Sequence, residues 1–124
     1  MILRNIDLLS FHGDTMLFLI IYDITNDRLR NRIADTLKDY GLDRIQYSAF
    51  LGFLKRFELN SLIADLKKLL SEIPFTEDER VRNIQIYPIP EISRRGRIEI
   101  NFEKGRLREF RGERIVKEEV VEII

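Results

Sequence analysis

Leu17-Phe18-Leu19-Ile20-Ile21-Tyr22-Asp23-Ile24-Thr25-Asn26-Asp27-Arg28-Leu29-Arg30 is the stretch on which the rest of the chain depends. Its opening run is too continuously apolar for a strand with one wet face, and predicts a central strand over 17–24 buried on both sides. Strand alternation places Leu17, Leu19, Ile21 and Asp23 on one face and Phe18, Ile20, Tyr22 and Ile24 on the other. Thr25, Asn26 and Asp27 all suit a helix N-cap, and Asp27 reads as that cap rather than as a metal ligand. Leu29, Ile33, Leu37 and Tyr40 then recur at helical spacing, giving a helix over 27–40 that Gly41 closes in the left-handed conformation.

Outward from this unit, Arg44 to Leu54 reads as a second strand, with Gln46, Ser48, Phe50, Gly52 and Leu54 on one face. A strand–helix–strand passage of this length suits a crossover, and so a parallel or interleaved pairing. Leu59, Leu62, Ile63, Leu66, Leu69 and Leu70 fix a second amphipathic helix over 58–71, ended by Pro74. Thr76 to Arg80 is a polar loop. Val81 to Tyr87 is a further strand with Ile84 and Ile86 buried, and Pro88 marks its end. A ferredoxin-like order, β-α-β-β-α-β, needs one more hairpin strand, obtained by splitting the 44–57 stretch around Gly52.

Three regions follow: an N-terminal arm or added leader over 1–15, a core over 16–90, and a basic segment with a terminal strand over 91–124. In the last, residues 97–102 alternate like a strand. Nine Lys or Arg lie between 91 and 117 against five Glu. The apolar, β-branched end, Val120 to Ile124, suits pairing with a sheet edge of its own or of a partner.

Composition narrows the chemistry. At 124 residues and 44% hydrophobic, the chain can bury one core. Its 21 basic and 21 acidic side chains cancel, so only local clustering could mark a nucleic-acid partner. No cysteine means no disulfide, thiolate metal site or cysteine nucleophile. The single histidine, His12, rules out a histidine-centred cluster or triad within one chain unless it joins from the N-terminal arm. No run reaches the length of a membrane span and no signal peptide is visible, so a cytoplasmic location without a membrane partner is expected.

Asp23 is the residue hardest to explain structurally. A carboxylate after Ile20-Ile21-Tyr22 is costly to bury unless paired, hydrogen-bonded or bound to a cation. It either caps the strand–helix junction as an Asx-turn or binds a metal ion. One Asp cannot hold a divalent cation alone, so the metal reading requires a two-fold dimer that brings two Asp23 side chains together. Arg28, Arg30, Arg32 and Arg44 also have two readings. They form a solvated face, or, grouped near the strand end against the helix dipole, they grip phosphates. Tyr22, Tyr47 and Phe50 read as core or interface residues, with base stacking the lesser alternative.

Ile21-Tyr22-Asp23-Ile24, then Asp27-Arg28-Leu29-Arg30, then Gly41-Leu42-Asp43-Arg44-Ile45-Gln46-Tyr47-Ser48-Ala49-Phe50, resemble the Cas2 family of CRISPR-associated proteins. That family shows a strand-ending Tyr-Asp, an arginine-bearing first helix and a Gly-x-x-x-x-Gln-x-Ser-x-Phe second strand. The likeness covers roughly 16–90. It implies an α+β, ferredoxin-like βαββαβ sandwich, an antiparallel sheet with two helices on one face. It also implies a homodimer in which the C-terminal strand completes the partner's sheet. The role implied is spacer acquisition, the dimer bridging a Cas1-like integrase and holding duplex DNA. Some members are reported as Mg²⁺-dependent nucleases on single-stranded RNA or duplex DNA. By that resemblance Asp23 is the metal ligand, for Mg²⁺ or Mn²⁺. Tyr22, Arg30, Arg32, Arg44 and Phe50 are further site residues, with Ser48 in support on the Phe50 face. The family's toxin-type ribonuclease relatives and a non-catalytic ferredoxin-like binding module are the alternatives.

Overall fold

The computed structural model describes residues 15–121. The N-terminal arm with His12, and the last residues of the apolar tail, lie outside them. The chain divides into two compact units, between Pro88 and Ile89.

The first unit runs β1 (Thr15–Ile24), α1 (Asp27–Asp39), β2 (Asp43–Gln46), β3 (Ala49–Lys55), α2 (Arg56–Glu72) and β4 (Arg82–Ile89). The sheet order is β2-β3-β1-β4, and β3 is antiparallel to both β1 and β2. The hairpin strand β3 thus inserts between β1 and β2, the interleaved solution to the crossover. This is the ferredoxin-like α+β sheet with two helices.

Phe18, Ile20, Tyr22 and Ile24 are buried along one face of β1, with Phe50 and Leu54 beside them on β3. Leu29, Ile33 and Leu37 from α1 and Leu59, Leu62 and Leu66 from α2 close the same core. The expectation of burial on both faces of β1 is corrected. Leu17 is buried on the second face, but Ile21 is 39% exposed and Asp23 is exposed. The helices cover one face of the sheet. The other, with Leu19, Ile21, Leu51, Phe53 and Tyr87, opens toward the Asp23 end. Ile84 and Ile86 are half-buried rather than buried.

Two local boundaries depart from the sequence reading. Asn26, not Asp27, is the N-cap of α1, its Oδ1 accepting the Leu29 N–H at 2.9 Å. The β2–β3 turn falls at Tyr47-Ser48, not at Gly52. Gly52 sits within β3 because a Cβ there would come within 2.5 Å of Leu42 Cδ2 and 3.1 Å of Leu42 Cα. Gly41 does close α1 as expected, with φ +85°.

The loop over 76–80 is not simply polar. Glu79 is only 8% exposed and accepts from Arg82 Nε at 2.8 Å and from the Thr76 N–H at 2.6 Å. Arg82 also donates to the carbonyls of Leu70 and Ile73, satisfying the end of α2 that lacks helical partners. These bonds, Arg82 first, hold the Glu79 carboxyl down to about 2 from 4.5. A lowered carboxyl contributes stability that is complete above the unfolded value and is lost as pH falls through the folded one. Thermal stability is therefore expected to be flat near neutrality and to fall between about pH 4.5 and 2. Glu79→Gln should lower the melting temperature at neutral pH and flatten that acid slope. A circular-dichroism series in which Glu79→Gln keeps the parent slope would refute the assignment.

The second unit contains a short helix α3 (Glu91–Arg95) and a meander of β5 (Ile98–Glu103), β6 (Arg106–Arg111) and β7 (Arg114–Val120). The strand expected over 97–102 is β5; two further strands were not visible in the alternation. Their turns carry positive φ at Lys104, Gly105 and Gly112. The basic tilt here is neutralised locally. Arg94 pairs with Glu113, Arg95 with Glu91, Arg97 with Glu99, Arg106 and Arg108 with Glu118, and Arg111 with Glu109. Only Lys104, Arg114 and Lys117 of the nine lack an acidic partner among the described residues. Only the pairs of Arg106 and Arg108 with Glu118 cross between strands, β6 to β7, and the set as a whole leaves little free positive charge.

Candidate nucleic-acid site

The candidate residues collect where β1 runs out, but on two sides of the sheet. Tyr22 is buried on the helix side, its hydroxyl donating to the Tyr47 carbonyl at 3.3 Å. Its ring lies 6.3 Å from that of Phe50, with 26° between the planes. Arg44 of β2 stands opposite Phe50 in the ladder and reaches over it, its guanidinium 5.1 Å from the ring centre. Arg44 also donates to the Tyr22 hydroxyl at 3.4 Å.

Arg30 enters from the first turn of α1. It donates to the Ile24 carbonyl at 3.0 Å and to the Asp27 carboxylate. The bond to Asp27 raises its already high pKa against a smaller opposing cost of desolvation. Its Nε is buried without a hydrogen-bond partner among the described residues, a donor left unused.

Asp23 points the other way. It is exposed, and its carboxylate has no hydrogen-bond or ion-pair partner among the described residues. The argument from the cost of burial therefore falls, and so does the Asx-turn, since Asn26 makes the cap. No cluster of three or more His, Cys, Asp or Glu side chains able to hold a metal ion exists among the described residues.

Two candidates are placed elsewhere. Arg32 lines a groove of about 400 Å³ between α1 and α2 with Asp39, Asp65 and Glu72. Two residues along a helix are about 200° apart, so Arg30 and Arg32 cannot share a face. Ser48 lies in the turn, not on the Phe50 strand face, and contributes its carbonyl, which accepts the Tyr22 N–H at 3.0 Å.

Tyr47 is not a core residue: it is 68% exposed. The β2–β3 register shifts between Arg44 and Gln46, and such an irregularity re-aims the next side chain. The guanidiniums of Arg30 and Arg44 lie 5.6 Å and 5.8 Å from the Tyr47 ring centre. The sequence signal was available: an aromatic residue between two polar ones in a hairpin lacking Gly or Pro at its turn.

A model of the family described as CRISPR associated protein Cas2 matches residues 16–95. The chain belongs to the Cas2 family. Among its relatives is a Chloroflexus aurantiacus protein named CRISPR-associated endoribonuclease Cas2 2, 54% identical over 50 residues, which are 40% of this chain and 59% of that protein. A Pyrobaculum aerophilum protein of the same name is 46% identical over 54 residues, covering 44% and 59%. A Thermoproteus tenax protein named CRISPR-associated endonuclease Cas1/endonuclease Cas2 fusion is 49% identical over 39 residues, covering 32% and 15%. The chain thus spans about three fifths of the length of the first two relatives. A solved structure entitled "Crystal structure of cas2" matches 60% of this chain and 74% of its own, with 31% identity and a TM-score of 0.47. The Cas2 match ends within α3, so the meander lies beyond it.

Proposed function

We propose that this Cas2 chain acts as a homodimer that binds nucleic acid, positions duplex DNA for a Cas1-like integrase, and cleaves phosphodiester bonds, as an endoribonuclease, with Mg²⁺ or Mn²⁺. One observation carries the reading: an open apolar sheet face ends in Asp23, unpaired among the described residues, beside a strand end where two arginines are held in place. A second copy packed on that face would bury Ile21 and Phe53 and bring a second Asp23 to the first. The relatives named as endoribonucleases and the Cas1/Cas2 fusion support the reading.

The metal fits only such a pair, since one carboxylate is a poor site for a divalent ion. When bound it would supply an activated water and neutralise charge on the phosphate. The chain's own contribution is phosphate binding by Arg30 and Arg44, oriented by Tyr22 and the Ile24 carbonyl. The six paired arginines of the second unit contribute little to this binding.

Fluorescence anisotropy with labelled duplex DNA and single-stranded RNA tests the reading between about 50 and 200 mM salt. Arg30→Gln with Arg44→Gln should weaken binding about tenfold or more and flatten the salt dependence. Arg106→Glu should change affinity by no more than about twofold. Absence of binding to either nucleic acid, or an unchanged salt slope in the double variant, would defeat it.

A further inference from the structure

Arg30 and Arg44 belong to different elements, and among the described residues the Tyr47 ring is the one aromatic group that meets both. Each guanidinium has other anchors: Ile24 and Asp27 for Arg30, Tyr22 and Phe50 for Arg44. None of these joins one arginine to the other. Two like charges approaching one ring repel, and the quadrupole of the ring offsets part of that cost. The main chain at Tyr47 is itself fixed, because its carbonyl accepts from the buried Tyr22 hydroxyl. The ring is also too exposed to serve the core.

We propose that Tyr47 is a positioning residue that couples Arg30 and Arg44 into one clamp for a nucleic-acid phosphate. This rests on the nucleic-acid reading above for its ligand, though not for its geometry. The phenol ring acts through its π face, which both guanidiniums approach. The clamp spans α1 and the β2–β3 turn, so it is set before any ligand arrives. A phosphate then finds two donors already placed, with less side-chain ordering left to occur on binding.

Two readouts test it, using the full chain as parent, Tyr47→Phe and Tyr47→Leu. First, ¹⁵N relaxation of the Arg30 and Arg44 Nε–H groups in the free protein reports their order. Both should be rigid in the parent and in Tyr47→Phe, and mobile in Tyr47→Leu. Equal order in Tyr47→Leu and parent overturns the proposal whatever the chain binds. Second, anisotropy with a labelled single-stranded RNA should give a Kd raised about five- to tenfold by Tyr47→Leu, with a shallower salt dependence. Tyr47→Phe should stay within about twofold of the parent. A Phe variant as weak as the Leu variant assigns the effect to the hydroxyl and overturns the proposal. If the parent binds no RNA or duplex DNA, the functional reading fails, while the relaxation result still decides whether Tyr47 couples the arginines. Tyr47 is largely exposed, so both variants should melt with the parent.

Discussion

Purified Asp23→Asn protein is expected to cleave RNA at least about a hundredfold more slowly than the parent, while binding it as tightly. Asparagine keeps the shape of the side chain and removes its charge. The position is exposed and the carboxylate unpaired among the described residues, so stability should move by no more than about 0.5 kcal/mol. A loss of rate therefore cannot be blamed on unfolding. The same geometry makes a second demand. If two Asp23 residues are needed, activity per chain must fall on dilution below the dimer's dissociation constant. Mixing parent with excess Asp23→Asn chain must also suppress cleavage, because mixed dimers carry one carboxylate. Cleavage by Asp23→Asn equal to the parent's would remove the catalytic role and leave a binding subunit. Suppression absent on mixing would remove the shared site, even if the variant alone is inactive.

The core was legible because its periods are clean. Phe18, Ile20, Tyr22 and Ile24 occupy one face of β1 as alternation requires, and Leu59, Leu62 and Leu66 fall on the buried stripe of α2. The turn between β2 and β3 was misplaced for a physical reason. Glycine is the usual turn signal, but Gly52 is used for close approach by Leu42, and the actual turn at Tyr47-Ser48 has neither Gly nor Pro. In the meander, strands were hidden by charge. Alternating arginine and glutamate leave weak apolar periodicity, while the cross-strand pairs that stabilise the sheet join residues distant in sequence. Lys104-Gly105 and Gly112 were the available markers, seven residues apart, as hairpin strands require.

The site was legible in part. Tyr22, Arg30, Arg44 and Phe50 do come together, because β3 inserts beside β1 and brings β2 with it. Arg32 does not join them, and helical geometry alone could have excluded it once Arg30 was chosen. The exposure of Tyr47 is hard to see in the sequence because an aromatic in an apolar strand is usually core. Only the register shift turns it outward.

Phe50→Ala is expected to cost about 3–5 kcal/mol of folding stability, a large share of the roughly 5–15 kcal/mol that a domain of this size commands. Phe50 is 0% exposed, opposes Ile20 across the β1–β3 ladder and packs against the Tyr22 ring. Removing it opens a cavity at the centre of the sheet. Its position beneath Arg44 makes it look like a site residue, yet that contact is one of three anchors on the guanidinium. Phe50→Leu separates the two roles. Leucine fills most of the volume, so the stability loss should fall to about 1.5 kcal/mol or less, while the ring under Arg44 is gone. With Tyr22 and Tyr47 still holding that arginine, Phe50→Leu should bind single-stranded RNA within about threefold of the parent. Chemical denaturation and anisotropy on the two variants give the comparison. If Phe50→Leu folds like the parent but loses binding tenfold, then the ring beneath Arg44, not the core it fills, is what the site needs. In that case Phe50 and Tyr47 would have to share the work assigned here to Tyr47.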